Sequence, residues 1–282
     1  MKTVAYYNGT IAPIEELTIP ANDRAVYFGD GIYDVAVADN YHTFRLADHV
    51  NRFFCSAKQL KIPFDMTKEE LTTLLEELLQ KLDAPGNAMI YWQISRGTAP
   101  RAHVFPSADV KANLLVMIKP MSPPTELKHI NLITTPETRY SYCNIKTINL
   151  IPNVLASQKA KEAGCEEAVF HKDGIVSECS HSNIHILKDG VLQTAPLSPA
   201  ILPGITRMHL LALAQENSIP VNETAFTLDQ LMDADEILVT SSTALIRVAD
   251  SVDGIPVGGK DPETLMTLVN AYQKLYRDSV QG

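Results

Sequence analysis

No stretch of this 282-residue chain is apolar for long enough to span a membrane as a helix, and Met1-Lys2-Thr3-Val4-Ala5-Tyr6 lacks the long apolar region of an export signal. The expectation is a soluble, unexported protein of the cytoplasm. Positive charge is also in short supply: 24 Lys and Arg against 33 Asp and Glu leave a formal net charge of −9. That deficit argues against nucleic acid or an anionic membrane as the main partner, because both select basic surfaces. A small-molecule function fits better. The four cysteines, Cys55, Cys143, Cys165 and Cys179, contain no C-x-x-C pair, which suits reduced thiols rather than a disulfide framework. The chain has no internal repeat and no low-complexity segment, and no metal site is expected.

What is present reads as two α/β domains, a number the length also suggests. Asn8-Gly9 between two short apolar runs signals a hairpin. Tyr27 to Asp34 is a glycine-punctuated turn entering the strand Val35 to Ala38. From Asp48 to Leu60, Val50, Phe53, Phe54, Ala57 and Leu60 recur at helical spacing and leave Arg52 off that face. Thr67-Lys68-Glu69-Glu70 has capping-box spacing, and a leucine-rich helix follows, stopped near Pro85-Gly86. Lys119-Pro120-Met121-Ser122-Pro123-Pro124 is the best linker. The boundaries are therefore 1–119 for a smaller N-terminal domain, 120–124 for the linker and 125–282 for a larger, hairpin-rich C-terminal domain. Within the latter, Asp173-Gly174, Asp189-Gly190 and Asp253-Gly254 mark hairpins. Pro152 to Ala163 and Met208 to Glu216 read as helices, the second with Thr206 as candidate N-cap.

Four stretches carry possible chemistry. Lys146 sits among Ile, Leu, Asn and Tyr, with no Asp or Glu from Thr138 to Lys161 to hold its ammonium charged. If the fold buries it, its pKa should fall, and a neutral amine attacks carbonyls; a strand-end lysine reaching to water is the plain alternative. Arg96-Gly97-Thr98-Ala99-Pro100-Arg101-Ala102-His103 is either a carboxylate trap or a solvated basic loop. Pro203-Gly204-Ile205-Thr206-Arg207 opens a helix, whose free N–H groups could seat a phosphate. Thr240-Ser241-Ser242-Thr243 could hydrogen-bond an anion or simply form a turn.

Taken together, Phe28-Gly29-Asp30-Gly31-Ile32-Tyr33, the 96–103 loop, Ile145-Lys146 with Asn149-Leu150, Glu178 followed by Asn183, Gly204-Ile205-Thr206-Arg207 and the hydroxyl run at 240–243 resemble the fold-type IV (class IV) aminotransferases dependent on pyridoxal 5′-phosphate (PLP). The resemblance covers nearly the whole chain. The Arg-Gly-Thr-x-Pro-Arg-Ala-His loop is most similar to the branch acting on D-amino acids; an L-branched-chain aminotransferase and an aminodeoxychorismate lyase on the same scaffold are the alternatives.

The resemblance implies that Lys146 bonds covalently to PLP as a Schiff base and later moves the Cα proton. It implies that Glu178 faces the pyridine nitrogen, and that Arg52, Ile205, Thr206 and Ser242 hold the phosphate. Leu202 would pack on the ring and Arg139 would support the site near the lysine. Tyr33, Arg101 and His103 would receive the substrate α-carboxylate, the Arg101 loop coming from the neighbouring subunit of a homodimer. The substrates implied are a D-amino acid and a 2-oxo acid, 2-oxoglutarate or pyruvate. Three positions depart from the family pattern: Asp34 in place of Glu, Asn144 in place of Asp, and Cys179-Ser180-His181 in place of glycine and serines. Loss of the acid at Asn144 should make the lysine less cationic, and His181 should narrow or recharge the pocket near Glu178.

Overall fold

The computed structural model describes residues 1–83, 87–124 and 126–280, which divide into two compact units. The first comprises Met1–Pro123 with two later pieces, Ile145–Asn149 and the chain end from Tyr276. The second comprises Pro124–Asn144 and Leu150–Leu275. One cut in sequence therefore does not separate them. The segment holding Lys146 belongs to the first unit, whereas reading the chain linearly assigns it to the C-terminal domain.

In the first unit, β1 (Val4–Tyr7) and β2 (Thr10–Ala12) meet at Asn8 and Gly9, both at positive φ as a tight hairpin turn requires. A short helix, α1 (Arg24–Phe28), was not expected from the turn-rich sequence; the Asp23 side chain caps it by accepting from the Ala25 N–H at 2.8 Å. The chain continues through β3 (Gly31–Asp39), β4 (His42–Thr43), α2 (Leu46–Gln59), α3 (Lys68–Leu79), β5 (Ala88–Ser95) and β6 (Asn113–Pro120). These strands form an antiparallel sheet in the order β2-β1-β6-β5-β3-β4. Its core includes Val50, Phe53 and Ala57 of α2, Leu71, Leu75 and Leu78 of α3, and Ile90, Trp92 and Ile94 of β5. Each fully buried leucine there contributes about 1.5–3 kcal/mol. The Thr67 capping box forms as its spacing predicts, with Thr67 Oγ1 accepting from Glu70 N and Glu70 Oε2 from Thr67 N. α3 stops at Leu79; Pro85 and Gly86, read as its end, lie outside the described residues.

The second unit runs β7 (Lys128–Pro136), α4 (Ile151–Glu162), β8 (Glu167–Lys172), β9 (Ile175–Cys179), β10 (Asn183–Lys188), β11 (Val191–Thr194), α5 (Ile205–Glu216), β12 (Val221–Asn222), α6 (Leu228–Asp233), β13 (Glu236–Ser241), β14 (Leu245–Val252), β15 (Ile255–Pro256) and most of α7 (Pro262–Val280), whose residues from Tyr276 fall in the first unit. Its sheet has the order β12-β11-β10-β13-β14-β7-β8-β9, with β15 on β14. β7 runs parallel to both β8 and β14, and the Asp-Gly hairpins at 173–174, 189–190 and 253–254 have both residues at positive φ. The cap of α5 lies two residues before the candidate: Gly204 is its N-cap, and Thr206 lies inside the first turn. Among the described residues, no helix is long and apolar enough to cross a membrane.

Candidate active site

In the first unit, Lys146 belongs to no regular strand but is held like one. Its carbonyl accepts from Tyr33 N at 2.9 Å, Thr147 bridges Ile32, and its own N–H donates to Ser56 Oγ at 3.3 Å. Ile145 is buried in the core and anchors the segment. The lysine itself is half-buried rather than enclosed. Its Nζ lies 3.4 Å from the Tyr33 hydroxyl and 4.4 Å from the centre of the Tyr33 ring, and no ion pair engages it among the described residues. Tyr33 stacks in turn on Tyr91, with ring centres 5.4 Å apart.

Arg52 departs from expectation. It lies off the apolar stripe of α2, yet it is buried, together with His49 and Ser56 at offsets of −3 and +4. These three form a second, polar stripe facing the protein. Arg52 Nε and Nη2 both grip Asp34, at 2.9 and 2.7 Å, and His49 Nδ1 is 2.8 Å from the same carboxylate. Burial alone would push the Asp34 carboxyl up; the Arg52 and His49 charges and hydrogen bonds outweigh it and hold the group well below the usual carboxylate range. His49 moves down, driven first by burial and opposed by Asp34, with Arg52 and Lys146 adding to the depression. The aspartate in place of glutamate thus makes a compact, charge-assisted pair with Arg52.

The basic loop presents Arg101 and His103 at the surface. Both rest on Phe28, the Arg101 guanidinium 5.0 Å from the ring centre and the His103 ring 5.2 Å away. No hydrogen bond or ring contact joins either residue to Tyr33 within the chain, among the described residues.

In the second unit Glu178 is buried near the end of β9. It accepts from Arg139 Nη1, from Asn183 Nδ2 at 2.8 Å and from the Leu202 N–H at 3.0 Å. Arg139 also grips Glu137 through Nε and Nη2, so its charge is shared by two carboxylates. Asn183 further donates to the Leu202 carbonyl at 3.0 Å, and a Cβ on Gly204 would lie 2.0 Å from Asn183 Oδ1. Only glycine at 204 leaves room for the amide that clamps Glu178. Immediately beyond, Ile205 and Thr206 are buried at the start of α5, whose first turn has no side-chain cap. Ser242 is half-buried just past the end of β13. The His181 side chain is half exposed, and its Nδ1 lies 3.2 Å from Glu167, which Ser182 Oγ also binds at 2.5 Å. Cys143 is pushed up to about 11, first by burial and then by Glu178 and Glu137 against the opposing Arg139 charge, and so stays a thiol.

The model for amino-transferase class IV matches residues 31–252. The chain belongs to the class IV aminotransferases. Relatives in the class include a D-alanine aminotransferase of Bacillus licheniformis, 35% identical over 261 residues and 92% of each chain, and one of Listeria monocytogenes, 38% identical over 264 residues and 91% of each. A branched-chain amino acid aminotransferase of Escherichia coli shares the fold with a TM-score of 0.88 and 25% identity over 98% of this chain and 95% of its own. Class IV aminotransferases depend on PLP. Each unit by itself holds groups that such a cofactor needs: the second a buried carboxylate held by fixed donors and a helix start without a side-chain cap, the first a half-buried lysine in no ion pair among the described residues.

The second unit also buries a polar pair. His185 on β10 is wholly buried, its Nε2 2.9 Å from Thr240 Oγ1, and its Nδ1 has no hydrogen-bond partner. Burial, then the charge of Arg207, pushes its pKa down to about 3. A neutral ring donating from Nε2 leaves only a bare acceptor unpaired, the less costly arrangement. Because the folded pKa lies below the unfolded value of 6.5, the unfolded chain binds the extra proton. Stability from this group is therefore complete above pH 6.5 and falls as the pH drops toward 3. His185→Gln should flatten that acid loss, which is on the order of a few kcal/mol, in melting curves taken across this window. Asp34 would add its own loss only below about 4, whereas His49, also lowered by burial, titrates in the same window and leaves a residual slope in His185→Gln. A wild-type curve flat between pH 6 and 4 would disprove the assignment.

Proposed function

We propose that this class IV aminotransferase transfers the amino group of a D-amino acid to a 2-oxo acid such as 2-oxoglutarate or pyruvate, as a homodimer in the cytoplasm. The observation that carries the reading is the greater identity to D-alanine aminotransferases, 35–38% across about nine-tenths of the chain, than to the branched-chain structures at 25%. The Arg101–His103 loop supports it, since it places a guanidinium and an imidazole side by side on an exposed platform where a carboxylate could be received. That both are exposed, with no link to Tyr33 in the same chain, agrees with their serving the partner's substrate. The four free cysteines suit a reducing compartment.

PLP supplies an electron-withdrawing ring that stabilises negative charge at the substrate Cα. The chain supplies the rest. Lys146 holds the cofactor covalently and, once displaced by the substrate amine, carries the Cα proton. Glu178 keeps a proton on the pyridine nitrogen, its own orientation set by Arg139, Asn183 and the Leu202 N–H. Leu202 packs on the ring. The N–H groups of Ile205 and Thr206, the Thr206 and Ser242 hydroxyls and Arg52 bind the phosphate. Arg139 acts through Glu178 rather than on the lysine.

The test is a panel of paired D- and L-amino acids with both acceptors. D-Alanine or D-glutamate should be consumed far faster than any L-form, and Arg101→Ala should lose a charge-assisted contact worth about 1.5–3 kcal/mol. That is roughly a tenfold to hundredfold fall in kcat/KM on the D-substrate with PLP retained. Faster turnover of L-leucine or L-valine by the wild type would move the chain to the branched-chain activity, and release of pyruvate from aminodeoxychorismate would move it to the lyase.

A further inference from the structure

The Arg101 loop is exposed, and exposed cationic side chains ordinarily sample many rotamers, which makes them poor at discriminating mirror images. Here the neighbouring α1 segment restrains it. Arg24 N donates to the Gly97 carbonyl at 3.0 Å, Ala99 N to the Asn22 carbonyl at 3.2 Å, and the Tyr27 hydroxyl to the Ala99 carbonyl. Asp30 takes Arg24 Nε at 2.7 Å and Arg96 Nε at 2.9 Å, while Arg24 Nη1 reaches the Ala102 carbonyl at 2.8 Å. On its other side the loop is held close to Lys111, where Gly97 at φ +105° leaves room: a Cβ there would lie 2.3 Å from the Lys111 carbonyl oxygen. The backbone around Arg101 is therefore pinned, and what orients the two side chains is the half-buried ring of Phe28, which Arg24, Arg101 and His103 all touch. An aromatic face attracts guanidinium and gives the imidazole ring, here tilted 46° to it, a directional partner, so it restrains both as an aliphatic side chain cannot.

We propose that Phe28 is a positioning residue for the substrate carboxylate, acting through Arg101 and His103. The inference rests on the reading of those two residues as the carboxylate receptor. Phe28→Leu keeps an apolar side chain but removes the π face. KM for D-alanine should rise about tenfold with kcat within about twofold, the pattern of lost uniform binding, and the ratio of D- to L-turnover at low substrate should fall in proportion. Phe28→Tyr, which keeps the face, should restore KM. In an Arg101→Ala, His103→Ala background, Phe28→Leu should add nothing. A variant that merely folded poorly would lower kcat and leave KM unchanged, and that outcome overturns the proposal. So does an unchanged KM in Phe28→Leu when Arg101→Ala raises it. If Arg101→Ala itself leaves KM and kcat on D-alanine intact, the receptor reading fails and takes this inference with it.

Discussion

Lys146→Ala should abolish transamination, lowering turnover by on the order of 10³ or more, while the protein still folds. The two consequences separate because the backbone and the side chain of this residue have different supports. The backbone is held by Tyr33 and Ser56, with the buried Ile145 and the Thr147–Ile32 bridge on either side, and none of these contacts uses the lysine side chain. No carboxylate pairs with Nζ among the described residues, so truncation strands no buried anion. What disappears is the only group proposed to bond the cofactor and to carry the proton. In the wild type, borohydride should fix PLP irreversibly to the peptide containing Lys146, because it reduces a carbon–nitrogen double bond to a stable secondary amine. In Lys146→Ala the label should vanish and the melting temperature should change little. Label on another lysine, or turnover that survives the substitution, would remove Lys146 from the mechanism.

Which parts of this could be read in the sequence depended on whether the signal was local. The Asn-Gly and Asp-Gly hairpins, the Thr67 capping box and the leucine stripe of α3 are each specified by neighbours a few residues apart, and all form. The site is made of distant pairings. Nothing near Lys146 in sequence says that its segment lines up against β3, more than a hundred residues earlier. Arg52 illustrates the limit of periodicity. Hydrophobic spacing could say only that it lies off the apolar stripe, yet the buried Asp34 supplies the counter-charge that brings it inside. The i, i+3, i+7 row His49, Arg52, Ser56 was a usable signal of a second buried face. The cap of α5 was misplaced for a related reason. A threonine looks like a cap by propensity, but Gly204 takes the position because Asn183 occupies the space a side chain would need. His181 follows Glu178 closely in sequence, yet the carboxylate 3.2 Å from its Nδ1 is that of Glu167, on the neighbouring strand β8.

Glu178→Gln should reduce turnover by on the order of 10² or more and leave the fold and the cofactor in place. The carboxylate is assigned to keep the pyridine nitrogen protonated, and an amide cannot do so. The electron sink then weakens by an amount comparable to removing one preorganised electrostatic group, a few kcal/mol. The structural cost is smaller than burial of Glu178 suggests. Three donors converge on it, from Arg139, Asn183 and Leu202, and glutamine keeps only one oxygen, so one of them loses its acceptor. Arg139 is not left with an unpaired charge, however, because Glu137 still holds it through Nε and Nη2. The phosphate seat proposed at the start of α5 is untouched. Activity should therefore fall by far more than stability, and bound PLP should remain countable after denaturation and extraction. The double variant Glu178→Gln, Glu137→Gln distinguishes the two carboxylates: it should unfold more readily, since Arg139 then loses both charged partners and keeps only Ser177 and the Ala200 carbonyl, yet turn over no more slowly than Glu178→Gln alone. Turnover near wild type in Glu178→Gln would show that this carboxylate serves the packing of Arg139 and not the chemistry.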